Sequence, residues 1–224
     1  MQNTAPKSTA SETVYEVIRQ RIMTNRLPGG SHLLEEAVAT ELEVSRTPVR
    51  EALSRLESDG LIQSIKRHGY LVTPITIPDI NEIYQVLSPL EIVAAELLAT
   101  KEDNEDIVAE LQKYVDEMAL ALEKDDLDQW AAADEMFHMR LVESCGNGRL
   151  AKAAKLLFAQ SHRVRLFTLR LREKPVNSVK NHGALVDAIR QHRPDLAREI
   201  HAAHRVGWVD KMSDLLASLN IHQL

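Results

Sequence analysis

Aromatic residues make up only 4% of this 224-residue chain, and there is a single cysteine, Cys145. One thiol excludes an intramolecular disulfide and suits a reducing compartment, so a cytoplasmic location is expected. No apolar run approaches the roughly 18 residues of a membrane span, so no membrane partner is expected. The opening MQNTAPKSTASET lacks the apolar core of a signal peptide; residues 1–12 read as a disordered lead. Positive charge is not in excess either, the formal net charge being −6. That excludes a non-specific polyanion binder held by overall charge.

What is present leans towards helix. Hydrophobic residues at 44% and charged residues at 27% match a soluble globular protein. Residues 1–74 hold 9 Lys+Arg and 9 Asp+Glu, whereas the remainder holds 18 and 24 and carries the whole deficit. A balanced first part beside an acidic second part suits a reader with locally placed cations.

In the first part, EVSRTPVREALSRLESDG (Glu43 to Gly60) reads as a turn, a cap and a helix. Ser45 is a good N-cap, and Pro48 falls in the first turn, where a missing N–H costs nothing. Val49, Leu53 and Leu56 form a core-facing stripe, while Arg46 and Arg50, four apart, leave the same side. Such a helix is shaped to enter a DNA major groove. A plain surface helix with ordinary arginines is the alternative. Around it the pattern predicts a first helix over 13–24, a short second helix over 35–42, and a hairpin. The strands of that hairpin are Leu61–Ile65 and Tyr70–Val72, with a tip at Lys66-Arg67-His68-Gly69. Together these make a winged helix-turn-helix over 13–74.

Thr73-Pro74-Ile75-Thr76-Ile77-Pro78 reads as a stiff linker, assigned to 75–78. Helical patterns follow at 79–100, 104–122, 126–143, 148–172, 176–191 and 193–219. An all-helical bundle of about six helices over 79–220 is therefore expected, in a mainly α protein. Within it, Asp134 and His138 share a helix face, and His182 and His204 lie on two later helices. One carboxylate and three imidazoles suit Zn²⁺, Ni²⁺, Mn²⁺ or Fe²⁺, with Zn²⁺ the first choice. Spacing alone does not establish a site, because a D-x-x-x-H pair is common by chance.

Two resemblances bear on these residues. LPGGSHLLEEAVATELEVSRTPVREALSRLESDGLI resembles the winged-helix domain of GntR-family bacterial transcription regulators. DEMFHMRLVESCGNGRL and HGALVDAIRQHRPDLAREIHAAH resemble the FCD ligand-binding domain of FadR-type members. The first resemblance implies that Arg46 and Arg50 read guanines, that Ser45 and Thr47 meet phosphates, and that Arg67 and His68 sit at a wing tip in the minor groove. The second implies metal ligation by Asp134, His138, His182 and His204, with His201 at the surface or behind the ligands. It also implies a small organic or sugar acid as effector. Of Arg163, Arg165, Arg170 and Arg172, which share one expected helix, Arg163 or Arg165 is the preferred candidate to point into its pocket. A homodimer on a pseudo-palindromic operator, acting as a repressor, completes the expectation.

Two positions depart from the family pattern. Glu36 stands where many relatives carry a DNA-contacting arginine. Leu87, in VLSPLE, stands where relatives often carry an arginine on the first bundle helix; if that arginine grips the effector, this pocket is less cationic. Pro89 is expected to bend that helix, and Trp130 and Trp208 are assigned to core or interface. Three other readings remain open: a purely structural metal, an acyl-CoA effector, and a helical metal-dependent hydrolase.

Overall fold

A computed structural model describes residues 9–221 and 223–224, and their backbone divides into two units. The first comprises residues up to Ile75 together with Gln223–Leu224, and the second runs from Thr76 to residue 222. The expected lead lies largely outside the described residues; its last part is helical, because α1 spans Ala10–Met23 rather than starting at Thr13. Thr9 starts it earlier by accepting a hydrogen bond from the Glu12 backbone N–H.

In the first unit α1 is followed by β1 (His32–Leu33), α2 (Glu35–Glu41), α3 (Arg46–Ser58), β2 (Ile62–Ile65) and β3 (Gly69–Val72). The sheet has the order β1-β3-β2, so the expected two-stranded hairpin gains a third strand. β3 sits in the middle and pairs antiparallel on both sides, Tyr70 lying opposite Leu33 and Ser64. Val14, Ile18 and Ile22 of α1 are buried, as are Val49, Leu53 and Leu56 of α3. The packed faces of these two helices are the stripes that the 3.6 period marks out. At the margin the Tyr15 hydroxyl donates to Asp59, and the Arg55 guanidinium lies over the Tyr15 ring. Leu224 joins this unit through two backbone hydrogen bonds with Ile75.

The second unit contains α4 (Ile77–Ala99), α5 (Glu105–Glu123), α6 (Leu127–Glu143), α7 (Gly148–Leu169), α8 (Val176–Arg190), α9 (Pro194–Arg205) and α10 (Trp208–Ser218). Besides α7, which ends at Leu169 and not at 172, two features differ from the sequence expectation. Residues 77 and 78 belong to a helix, not to a linker, since Thr76 and Asp79 form a capping box ahead of Ile77. The final expected helix is broken by Gly207 at φ 69°, a conformation glycine adopts without strain. The bundle therefore has seven described helices. α4 packs against α6, α7, α8, α9 and α10, and runs through Pro89 from Ile77 to Ala99. Trp130 and Phe137 of α6 join Leu111 and Met118 of α5 and Val186 and Ile189 of α8 in one apolar cluster. No described helix is long and apolar enough to cross a membrane.

The tip of the wing yields a test. Gly69 has φ +78°, and a Cβ there would stand 2.5 Å from the Leu33 carbonyl oxygen. Gly69→Ala is expected to destabilise the winged-helix unit by about 1–3 kcal/mol. Thermal unfolding of the purified variant measures it; an unchanged melting point would show that β1 yields without cost.

Candidate metal centre and effector pocket

The buried interior of the helical unit is unusually polar. Glu91, Asp134, His138, Arg165, His182, His201 and Arg205 are all less than a tenth exposed. Burying an ion without a partner costs several kcal/mol, so their pairing is the first question.

Asp134 and His138 lie one turn apart on α6, and His182 comes from α8. His182 Nε2 is 3.2 Å from Asp134 Oδ1, and His138 Nε2 is 3.6 Å from the same oxygen. The ring of Phe137 stacks on His182, with centroids 4.3 Å apart, which limits how that imidazole can turn. His204 from α9 stands beside them, its ring 5.1 Å from that of His182. Its Nδ1 faces the Asn181 amide at 3.0 Å, leaving Nε2 as its other ligating atom. An amide offers its oxygen after a simple flip, so it suits a His204 protonated on Nδ1.

A second group lies behind His138. Its Nδ1 is 2.9 Å from Glu91 Oε1, while Glu91 Oε2 accepts from Arg205. Arg205 Nη2 is also 3.3 Å from His138 Nδ1, but a guanidinium offers no lone pair to an N–H, so Glu91 is the natural acceptor. The close approach of Glu91 favours a proton on Nδ1, which leaves Nε2 on the Asp134 side without one. A carboxylate behind a ligating histidine is a recurrent way to orient it. His201, expected at the surface or behind the ligands, is not at the surface. It is 1% exposed, with Nε2 3.9 Å from Glu91.

Two triads thus have ligand atoms close enough for one ion, Asp134–His138–His182 and Glu91–His138–His201. The first is the better cation site. Arg205 sits directly on Glu91, whereas Arg165 approaches only Asp134 Oδ2, at 3.6 Å, and leaves Oδ1 to the imidazoles. Neighbouring cations and imidazoles, led by Arg165 for Asp134 and Arg205 for Glu91, outweigh burial and hold both carboxyls well below their ordinary range. Burial pushes His182 and His201 down to about 4, and lowers His204 further. These three imidazoles are therefore neutral near pH 7, which is the ligating form.

Beside this cluster is a cavity of about 550 Å³ lined by His204, Asn181, Arg172, Lys174, Trp208 and Lys211, among others. His204 and Asn181 belong to both cavity wall and cluster. Trp208, assigned to core or interface, lines the cavity and meets Tyr84 at 4.5 Å. Of the two expected effector arginines, Arg165 faces Asp134. Arg163 is also buried but points elsewhere, since residues two apart on a helix leave opposite sides; burial lowers it to about 10. Leu87 is in an apolar cluster with Val142 and Phe158. Leu87 itself brings no charge, while Arg165 of α7, Arg205 of α9 and Arg172 in the loop after α7 lie around the cluster and cavity.

Glu91, Arg205 and Asn181 were missed by reading the chain, and Arg172, which lines the cavity, ranked behind Arg163 and Arg165. Glu91 had a signal: Tyr84, Leu87, Glu91, Ala94 and Leu98 follow a helical stripe and are all buried. An acid on such a stripe must find a partner. Arg205 follows Ala197 and His201 at the same spacing.

In the first unit three of the expected DNA residues stand together and the others lie at the ends of their elements. Arg46, Thr47 and Arg50 line an open hollow on α3, together with Glu51 and Ser54. Ser45 is at the N-cap position but makes no side-chain cap hydrogen bond. Arg67 and His68 are exposed at the turn between β2 and β3, and Arg67 has φ 67°. Glu36 is exposed; it is Glu35 that pairs with Arg46 and Arg50.

Residues 10–72 match the model of the gntR family of bacterial regulatory proteins, and residues 82–206 match the FCD domain. The chain belongs to the GntR family. Its helical unit is an FCD domain, in keeping with FadR-type members. The gluconate operon transcriptional repressor of Bacillus subtilis is 31% identical over 218 residues, covering 94% of this chain and 88% of that one. An HTH-type transcriptional regulator in the TAR-I ttuE-ttuC' intergenic region of Agrobacterium vitis is 42% identical over 130 residues, 57% of this chain and 76% of its own. Among solved structures, Escherichia coli McbR/YncC superposes with a TM-score of 0.71 at 22% identity, over 95% of this chain and 98% of that one. This GntR-family chain is accordingly a DNA-binding transcription regulator, not an enzyme, and the hydrolase reading falls.

The buried ion pair can be tested in this regulator. Arg205→Ala leaves Glu91 with a buried charge and is expected to cost about 3–5 kcal/mol in urea unfolding. Arg205→Met with Glu91→Gln removes both charges and is expected to recover much of that loss. Equal losses in the single and double variants would mean that the pair does not act as a unit.

Proposed function

We propose that this regulator is a ligand-responsive repressor that reads a pseudo-palindromic operator as a homodimer. A metal-dependent pocket in its FCD domain senses a small organic or sugar acid. The observation that carries this reading is the shared wall: His204 belongs both to the Asp/His cluster and to the cavity lined by Arg172, Lys174 and Lys211. Asp134, His138, His182 and His204 would hold the ion, with Glu91 behind His138. Three imidazoles with one carboxylate fit Zn²⁺ first, and Ni²⁺, Mn²⁺ or Fe²⁺ next. A bound ion would supply a Lewis-acidic point for an effector carboxylate, and the cavity cations would add charge-assisted hydrogen bonds. A sugar acid is also the chemistry in the name of the Bacillus subtilis relative, a gluconate operon repressor. Coupling between effector and DNA of about 1–3 kcal/mol would change operator affinity 5- to 150-fold.

Thermal melting of chelator-stripped and Zn²⁺-reloaded protein against a panel of carboxylic and sugar acids tests the pocket. One acid is expected to raise the melting point only with metal present, by the equivalent of about 2.7 kcal/mol at a hundredfold excess over Kd. His182→Ala is expected to lose both the metal, measured by elemental analysis after dialysis, and the acid response. Stabilisation by metal with no response to any acid would make the ion structural and turn attention to acyl-CoA ligands.

For the DNA-binding unit, Arg46 and Arg50 are assigned to guanines, Ser45 and Thr47 to phosphates, and Arg67 and His68 to the minor groove. Arg50→Ala is expected to weaken binding to the duplex that the wild type selects from a random pool by about 5- to 150-fold, as loss of a bidentate base contact does. Its unfolding should stay within about 0.5 kcal/mol of wild type. A large stability loss with DNA binding intact would make Arg50 structural.

A further inference from the structure

The recognition helix does not present bare arginines. Glu35, the first residue of α2, faces both of them across the helix-turn-helix. Arg50 meets it as a fork, Nε to Oε1 at 3.1 Å and Nη2 to Oε2 at 3.0 Å, and Arg46 Nη2 reaches Oε2 at 3.4 Å. The arginine side chains are 66% and 62% exposed, while that of Glu35 is 18% exposed. One fairly sheltered carboxylate thus anchors two solvent-facing guanidiniums. The charge-assisted bonds from Arg50, first of all, hold the Glu35 carboxyl below its ordinary range, so the anchor is ionised.

The edge that Arg50 uses matters. A guanidinium has two edges able to make paired hydrogen bonds, one through Nε and a terminal nitrogen, the other through both terminal nitrogens. Glu35 occupies the first. The end-on edge stays free, and it is the one that reaches forward along the side chain towards the O6 and N7 atoms of a guanine. The same carboxylate cancels one of the two positive charges that would otherwise attract any phosphate.

We infer that Glu35 is a specificity-determining positioning residue, which aims Arg50 and Arg46 at base edges and weakens their indiscriminate attraction to the DNA backbone. This rests on the assignment of Arg46 and Arg50 as DNA contacts. Glu36, the position that sequence comparison singles out, is exposed and stands outside the cluster.

The test uses full-length protein and two probes, a 30-bp duplex of random sequence and the duplex that the wild type selects from a random pool. Each is titrated by fluorescence anisotropy across a salt series. Glu35→Gln removes one negative charge and keeps the shape. It is expected to bind random duplex about tenfold tighter at 0.1 M salt, with a log–log salt slope steeper by about one. Its preference for the selected duplex should fall. Glu16→Gln removes the same charge from the exposed side of α1 and is the control. Equal effects from the two variants would overturn the inference, since general charge would then explain both. Unchanged random-duplex affinity, salt slope and preference in Glu35→Gln would overturn it as well. Should Arg46→Ala and Arg50→Ala bind both probes like wild type, the DNA assignment itself fails, an outcome distinct from failure of the Glu35 role alone.

Discussion

The helical unit depends on one constraint: charge taken out of water must be answered inside. Glu91 of α4, Asp134 of α6, Arg165 of α7 and Arg205 of α9 are all buried in one region. Glu91 meets His138 and Arg205, and Asp134 meets Arg165 and His182. Those links span α4, α6, α7, α8 and α9, so each helix must sit at a depth and rotation that close them. Apolar residues of similar volume in these places would often be as stabilising or more so, because desolvation offsets most of the Coulomb attraction. Fold stability is thus a poor reason for this core. A site that needs fixed ligands is a better one.

The apolar surroundings keep those ligands in place. Phe137 stacks on His182 and belongs to the cluster formed by Trp130, Leu111, Met118 and Val186. Close packing leaves such a ring few rotamers, so the imidazole it covers is restricted in turn. Glu91 does for His138 through a 2.9 Å polar contact what Phe137 does for His182 by stacking. The two imidazoles are held from different directions by different forces.

Much of this was legible in the chain, and the exceptions have physical causes. Periodic stripes marked α1, α3 and the bundle helices, because one-sided burial imposes a 3.6 period. The four ligand candidates came from residue chemistry and family resemblance together; the structure brings the ligand atoms of Asp134, His138 and His182 together, with the His204 ring beside them. β1 was missed because two residues carry no alternation to read. The start of α4 was hidden by prolines that suggested a linker, although Thr76 and Asp79 spelled a capping box. Glu91 was passed over because it stood in a segment noted for the arginine it lacked. His201 was set apart from His204 by spacing to a pattern, yet only tertiary packing decides that α9 turns both towards the interior. Charges contributed by α7 and α9 to a site on α6 and α8 leave no local mark at all.

The chain also holds two carboxylate–arginine pairs of opposite character. Glu91 and Arg205 are sealed from solvent, and either one without the other would be a stranded ion. Glu35 and Arg50 meet at the surface, where water and salt compete for both partners. The first arrangement suits something that must not change while a ligand comes and goes. The second suits a contact that is renegotiated whenever a phosphate or a guanine arrives, because the exchange removes no charge from a dry core. Arginine serves both because its planar fork matches a carboxylate edge to edge and stays charged in either setting. What separates permanence from exchange is therefore the burial of the pair, and not the residues that form it.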